Sequence, residues 1–452
     1  MRTTIGAIVE GGTSVNYKTG DWREFRPVFV TGIAPCREAC PAGIDIALFL
    51  REARHRHFER AWHIIMEENP FPSICGRVCH HPCEEACNRN EFDEPLAVNG
   101  LERFVGDHGL KTMLKVAKPK VQTGKRIAVI GAGPSGLSCA YHLWRLGHSV
   151  KVFERASQPG GMLRSAIPDY RLPPKIVDGE IERLCLAGIE IETGASLGKD
   201  FLTEGLKEFT AVFLALGAQD NLGLGIPGED FAGVISGLDF LRVVKERKKP
   251  PLGKRVTVIG GGNTAIDVAR TAIRLGSEPT LVYRRTLKEM PALPGEVQEA
   301  LKEGIVIDFL TSPVAITRPK GQALRLECIK NRLGKPDPDG RRRPVPIEGS
   351  NFFIESDTIV VAIGEGIGSD GLLKSLERTD DGILVDQWQA TGISGVFAGG
   401  DLAPGPLTVS HAIGSGKKSA LGIDAFVRGV DRELTQSVFL GNRGSLSMAW
   451  WI

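Results

Sequence analysis

The sequence predicts an α/β protein, with a helical N-terminal part followed by two doubly wound, Rossmann-like units. Three observations predict it. Cys36, Cys40, Cys75, Cys79, Cys83 and Cys87 crowd into two short runs before residue 100, leaving only Cys139, Cys185 and Cys328 for the rest of the chain. From Arg126 onwards, β-like apolar runs alternate with helical patterns, as in doubly wound sheets. Glycine-rich turns follow two of those runs, at Gly131 and again at Gly260, as an internal duplication would place them.

Composition bounds the reading. The chain has 452 residues, enough for about three ordinary domains, and its 42% apolar and 24% charged residues suit a globular protein. A net charge of +2 gives no electrostatic case for nucleic acid or an anionic membrane. No apolar run approaches the roughly 18 residues of a spanning helix, and the first residues lack a signal-peptide pattern. The expectation is a cytoplasmic protein without membrane insertion, where clustered cysteines bind metal more often than they pair.

Residues 1–35 read as a polar arm carrying Tyr17, Trp22 and Phe25. Residues 44–69 show helical spacing through Ile46, Leu50, Ala53, Phe58, Trp62 and Ile65, stopped by Pro70 and Pro72. Another helix is expected over residues 98–116. Arg126–Ile130 and Val150–Glu154 then read as parallel strands flanking a helix from Pro134 to Leu146.

Cys75, Cys79, Cys83 and Cys87 recur every fourth residue, which on one helix would form a stripe. Pro82 forbids an unbroken helix, so the thiols are free to face different directions. With Cys36 and Cys40 upstream, thiolates at this density suit an iron–sulfur cluster, with structural zinc or plain buried cysteines as alternatives. The paired CxxC spacing of a zinc ribbon is absent, and His80 and His81 read as surface residues. Cys139, Cys185 and Cys328 read as buried apolar fillers.

In the first turn, Gly131 permits the sharp bend, Gly133 lets a pyrophosphate approach, and Gly136 lets helix pack on strand; Pro134 and Ser135 complete the motif. Counting 23 residues from Gly131 reaches Glu154, placed to accept from ribose hydroxyls. In the second turn, Gly260, Gly262, Asn263 and Thr264 lead into a helix, and the same count reaches Tyr283 followed by Arg284 and Arg285. Two guanidinium groups there would clasp a 2′-phosphate and favour NADPH, or be merely solvated, so NAD versus NADP stays open. A third turn, Gly399-Gly400-Asp401, precedes a helix that starts after Thr408-Val409 and runs to Val427. Asp401 would accept from flavin ribityl hydroxyls, and the helix N–H groups would face the flavin pyrimidine edge.

In this order, behind the cysteine-rich head, these elements resemble the flavoprotein family of glutamate synthase small subunits. Its module also occurs in dihydropyrimidine dehydrogenase and NADH-dependent ferredoxin:NADP oxidoreductases. Leu101-Glu102-Arg103-Phe104, Gly160-Gly161-Met162-Leu163, Ile167 to Pro173 and Ala362-Ile363-Gly364-Glu365 carry the resemblance besides the cysteines. It implies FAD, NAD(P) and [4Fe–4S] cofactors. Cys40, Cys79, Cys83 and Glu102 would hold one cluster. A second would use Cys36 and Cys87 with two upstream cysteines, but Val28 to Pro35 contain none. Either that cluster is absent, or Cys75 and an unidentified ligand complete it. Arg155, Gly161, Leu163 and Arg171 join the FAD set, and Gly364 and Glu365 the NAD(P) set. The implied domains are 1–122 (arm and helical Fe–S domain), 123–250 and 364–432 (FAD), 251–363 (NAD(P)) and 433–452 (a tail, whose Trp450-Trp451 would dock on a partner or on its own domain).

The resemblance implies an electron-transfer subunit with no side-chain nucleophile or acid–base pair, hydride passing at flavin N5. Its partner would be another subunit of a larger oxidoreductase. The NYKTGDWREFRP head, the CHHPCEEAC run and the LGNRGSLSMAWWI ending resemble the branch that accompanies 2-oxoacid oxidoreductases such as the phenylglyoxylate enzyme. A glutamate synthase partner, or a free-standing NAD(P)H:acceptor reductase, is the alternative. A disulfide reductase would need a CxxC near the flavin, which is missing, and a non-enzymatic FAD scaffold would not need both turns intact.

Overall fold

A computed structural model describes residues 33–320, 322–337, 340–368 and 371–430. The expected arm and tail, with Tyr17, Trp22, Phe25, Trp450 and Trp451, lie outside the described residues.

The first part is helical: Pro35–Ala39, Ile46–Arg54, Phe58–Met66, Pro72–Val78, Pro82–Glu85 and Val98–Lys111. Asp45 caps the second of these by accepting from Leu48 N–H at 3.0 Å. The helix expected over 44–69 is broken, because Arg56 adopts a left-handed backbone (φ 60°) that turns the chain between Arg54 and Phe58. The apolar spacing runs through the break, so periodicity alone did not reveal it. The helix expected over 98–116 stops at Lys111. Helices Pro72–Val78 and Val98–Lys111 approach so closely that a Cβ on Gly76 would stand 2.3 Å from Arg103 Cα.

Two five-stranded parallel sheets follow. In the first, the strand order is Val396–Ala398, Ala211–Leu214, Arg126–Ile130, Ser149–Glu154, Glu190–Thr193. In the second it is Val234–Ser236, Thr358–Val361, Arg255–Ile259, Glu278–Tyr283, Val306–Phe309. Each places the strand before its glycine turn at the centre, which is the switch point where a dinucleotide binds in such sheets. The second sheet carries an antiparallel insertion of Thr311–Thr317, Leu324–Pro336, Arg342–Pro346 and Phe352–Ser356.

The sheets interleave. The chain leaves the first after Leu214, builds the second, and returns at Val396 to pair with Val212. The expected boundary between 250 and 251 is misplaced, since Val234–Ser236 already hydrogen-bonds to Ile359–Val361 in the second sheet. The crossings are at Asp220–Asn221 and Glu365–Gly366, which pair with each other antiparallel.

One core unites the helical part with the first sheet: Phe49, Trp62 and Ile74 belong to the same apolar cluster as Val129, Leu137 and Phe213. The second sheet has its own, built on Phe240, Val258, Ile266 and Leu281. Among the described residues, no helix is long and apolar enough to cross a membrane.

Candidate functional site

The helical part encloses a cavity lined by Cys40, Cys75, Cys79, Cys83, Glu102, Asn69, Asn99, His81 and Ser410, among others. Helix Pro72–Val78 brings Cys75 inward and ends at Cys79, whose extended backbone (ψ 145°) breaks the run before Pro82 opens the next helix. Three thiols of the run therefore converge from separate elements. Cys87 does not line the cavity and is instead electrostatically coupled to Cys36. His81, left-handed at φ 56° and ψ 48°, aims its backbone N–H at Cys79 Sγ, 3.4 Å away. Its ring lines the cavity, so it is not the surface residue expected.

Burial raises the thiols of Cys40, Cys75 and Cys83, that of Cys79 to about 12, and the Glu102 carboxyl to about 8. Desolvation of the charged form is the largest cause throughout. Soft sulfur donors and a carboxylate gathered in a dry cavity fit a cationic cluster, whose charge inverts this preference and holds the thiolates ionised. The pairing of Cys75 with Cys36 and Cys87 is not what the structure assembles: Cys75 sits with Cys40, Cys79 and Cys83.

In the first sheet, Gly131 turns at φ 104°, and a Cβ there would stand 2.3 Å from Ala215 O. Gly133 has nothing within 4 Å of its would-be Cβ, leaving an open cradle over the N-terminus of helix Pro134–Arg145. Glu154 accepts from Ala132 N–H and Ala156 N–H, both at 2.8 Å, which fixes its carboxylate beside the turn. Gly161 packs on Gly133, and Gly400 packs on Ser135. Asp401 Oδ1 and Ser135 Oγ are buried without a hydrogen-bond partner among the described residues. Two orphaned polar atoms beside an open phosphate cradle call for a polar ligand, and they fit a flavin dinucleotide. Burial, then the charge of Glu365, raises Asp401 to about 6. Thr408 caps helix Val409–Arg428 by accepting from His411 N–H at 3.3 Å.

In the second sheet, Gly260 makes the bend at φ 148°, and Gly262 again has open space above it. Asn263 Oδ1 accepts from Leu293 N–H, and Thr264 Oγ1 donates to Glu365 Oε1 at 3.1 Å. Gly364 (φ 132°) takes a glycine-type bend just before that glutamate. Glu365 touches Thr264 of the second turn, and its charge helps to raise Asp401 of the third.

Several expected contacts are redirected. Arg171 pairs with Asp267 at 2.7 Å and Glu296 at 3.0 Å, so it is committed to the second sheet's helices rather than to FAD. Arg285 is buried against Asp337 and the Arg342 carbonyl, which leaves Arg284 alone to meet a 2′-phosphate. Leu163 is wholly buried, so only its backbone is available, while Arg155 reaches Gln219 at the surface. Cys139 and Cys328 are buried as expected, but Cys185 is exposed.

Sequence reasoning missed Asn69, Glu68 and Lys417. Asn69 donates to Glu102 Oε1 at 2.9 Å. Lys417, buried in helix Val409–Arg428, donates to the Ala42 carbonyl and to Glu68 Oε2. No local pattern marks them, because each acts on a partner more than 30 residues away.

The pyridine nucleotide-disulphide oxidoreductase family model matches residues 125–416, with an overlapping match at 93–172. A second model, dihydropyrimidine dehydrogenase domain II, 4Fe-4S cluster, matches residues 30–114. The NADP(+)-dependent formate dehydrogenase subunit beta of Moorella thermoacetica is 40% identical over 429 residues, 88% of this chain and 60% of that one. The glutamate synthase [NADPH] small chain of Escherichia coli is 32% identical over 412 residues, 86% of this chain and 87% of that one. The Mycobacterium tuberculosis FprA structure in complex with NADPH superposes with a TM-score of 0.59 at 19% identity, covering 69% of this chain and 86% of that chain, a likeness of fold.

Proposed function

This chain belongs to the pyridine nucleotide-disulphide oxidoreductase family, and from that premise we propose that it is an electron-transfer subunit of a larger oxidoreductase. It is a FAD-dependent NAD(P) oxidoreductase with a 4Fe-4S domain at its head. FAD exchanges a hydride with nicotinamide and single electrons with an iron–sulfur cluster, so it joins two-electron to one-electron chemistry.

The chain's task is binding and orientation. The Gly131–Gly136 turn and its helix N-terminus take the FAD pyrophosphate, Glu154 the ribose, and Asp401 the ribityl hydroxyls. The N–H groups after Thr408 would hold the flavin's pyrimidine edge. The Gly260–Thr264 turn and Arg284 hold NADPH, with Glu365 between the two nucleotide sites. Cys40, Cys79, Cys83 and Glu102 hold the cluster. The observation that carries this reading is that the start of helix Val409–Arg428 lies beside the cysteine cavity and directly after the Asp401 turn. Ser410 lines the cysteine cavity, and Thr408 and Val409 just before it follow the Asp401 turn.

The partner we favour is a 2-oxoacid oxidoreductase such as the phenylglyoxylate enzyme, with electrons leaving its decarboxylation site for NAD(P)+. The names of the relatives favour a second reading, a formate dehydrogenase or glutamate synthase partner using NADP(H). Anaerobic purification from the source, with mass spectrometry of the accompanying subunits, separates these. Subunits with thiamine-diphosphate and ferredoxin signatures support the first; a formate dehydrogenase subunit or an amidotransferase supports the second. Flavin that stays oxidised on anaerobic mixing with both NADH and NADPH would overturn the electron-transfer role itself.

A further inference from the structure

Asn69 sits at the end of a helical turn, 33 residues from Glu102 in sequence, and is only 1% exposed. Its amide orientation is fixed by its neighbours. The Phe71 backbone N–H can only donate, and it donates to Asn69 Oδ1 at 2.9 Å. The NH2 group is thereby turned away, and it donates to Glu102 Oε1 at 2.9 Å. The same amide favours the ionised form of the neighbouring Cys75 thiol. All three side chains line the cysteine cavity.

We propose that Asn69 is a positioning residue for the iron–sulfur cluster, holding the Glu102 carboxylate ligand in place and setting the cluster's reduction potential. This inference rests on the reading that Glu102 is a cluster ligand. Two physical effects support it. Outer partners that hydrogen-bond a ligating carboxylate fix its orientation and alter what the metal feels. A buried N–H aimed at that carboxylate also favours the more negatively charged state, here the reduced cluster, and raises its potential. Asn69 takes no part in the hydride step, since the nicotinamide and flavin sites are built from other elements.

The test is a redox titration of the anaerobically purified full chain, followed by electron paramagnetic resonance of the cluster. Asn69→Asp keeps the acceptor for Phe71 N–H but removes the donor, and Asn69→Leu removes both at similar size. Both variants should lower the cluster midpoint potential and change its g-values, while flavin reduction by NADPH keeps its rate. The same pair is then made in a Glu102→Cys background, where no carboxylate remains to be held. There the shift caused by Asn69→Leu should shrink to a small fraction of its value. If either single variant loses iron, restoration of iron in the Glu102→Cys background supports the proposal, and continued loss overturns it. An unchanged potential and unchanged g-values in both single variants overturn it, as does an equal shift in the two backgrounds. If Glu102→Cys itself leaves the g-values untouched, Glu102 is not a ligand. That result sinks the underlying reading separately from the role of Asn69.

Discussion

The first sheet has two neighbours, and it holds them in different ways. Against the helical part the junction is dry and shares a core: Phe49 and Trp62 cluster with Leu137 and Phe213. Tyr141 donates to the Met66 carbonyl at 2.7 Å, Ser73 N–H to Glu180 at 2.9 Å, and buried Lys417 reaches Ala42 and Glu68. Against the second sheet the junction is ionic, and each side keeps its own core. Arg171 meets Asp267 and Glu296, Lys245 meets the Ile167 carbonyl, and the Tyr170 ring lies under Arg274 at 3.9 Å. The difference matches what each neighbour must do. Single-electron transfer needs a fixed separation between cluster and flavin, which a fused core supplies. A nicotinamide must arrive and leave, and a junction of charged side chains can reform after it opens.

The largest effect is expected from breaking the fused junction. Lys417→Met removes a buried cation facing Glu68, a loss of about 3–5 kcal/mol for such pairs. Chemical denaturation should show that loss, with iron and FAD released together because both sites border the same core. Breaking the ionic junction should do less and do it elsewhere. Arg171→Met removes one charge-assisted hydrogen bond, to Asp267, of about 1.5–3 kcal/mol, and Arg270 remains paired with Glu296. Iron and FAD content should hold while hydride transfer from NADPH slows in rapid mixing.

Between these lies the flavin pocket. Asp401, raised to about 6 by burial, accepts on both oxygens and most strongly when ionised. FAD affinity should therefore be full well above pH 6 and fall as pH drops through it. The loss is about tenfold or more for one charge-assisted bond. Flavin fluorescence on release measures this, and Asp401→Asn should flatten the pH dependence. The smallest effect is at His81, whose left-handed backbone suits glycine. His81→Val should cost about 1–3 kcal/mol and weaken cluster retention, while His81→Gly should keep the fold and the N–H aimed at Cys79.

Much of this was legible in the sequence because dinucleotide turns are local. Gly131, Gly133, Gly136 and Glu154 fall within one strand–turn–helix–strand unit, and Gly260 to Thr264 within another. The cysteine run was legible for the same reason. What the sequence hid was decided by residues far apart. Arg171 finds Asp267 across a domain junction, and Arg285 finds Asp337 on the antiparallel insertion. Both are motif arginines whose partners no spacing rule supplies. Val234–Ser236 joins the second sheet through pairing with Ile359–Val361, which local propensity cannot foresee. Arg56 breaks a helix inside an uninterrupted apolar pattern.

Hydride electrons received at the flavin are expected to pass one at a time to a cluster in the same chain. Anaerobic rapid mixing of the purified chain with NADPH, quenched by freezing for electron paramagnetic resonance, tests it directly. Loss of the oxidised-flavin absorbance should be followed by the signal of a reduced cluster before any partner is added. Flavin that is reduced while an intact cluster stays oxidised, even with excess NADPH, would contradict it.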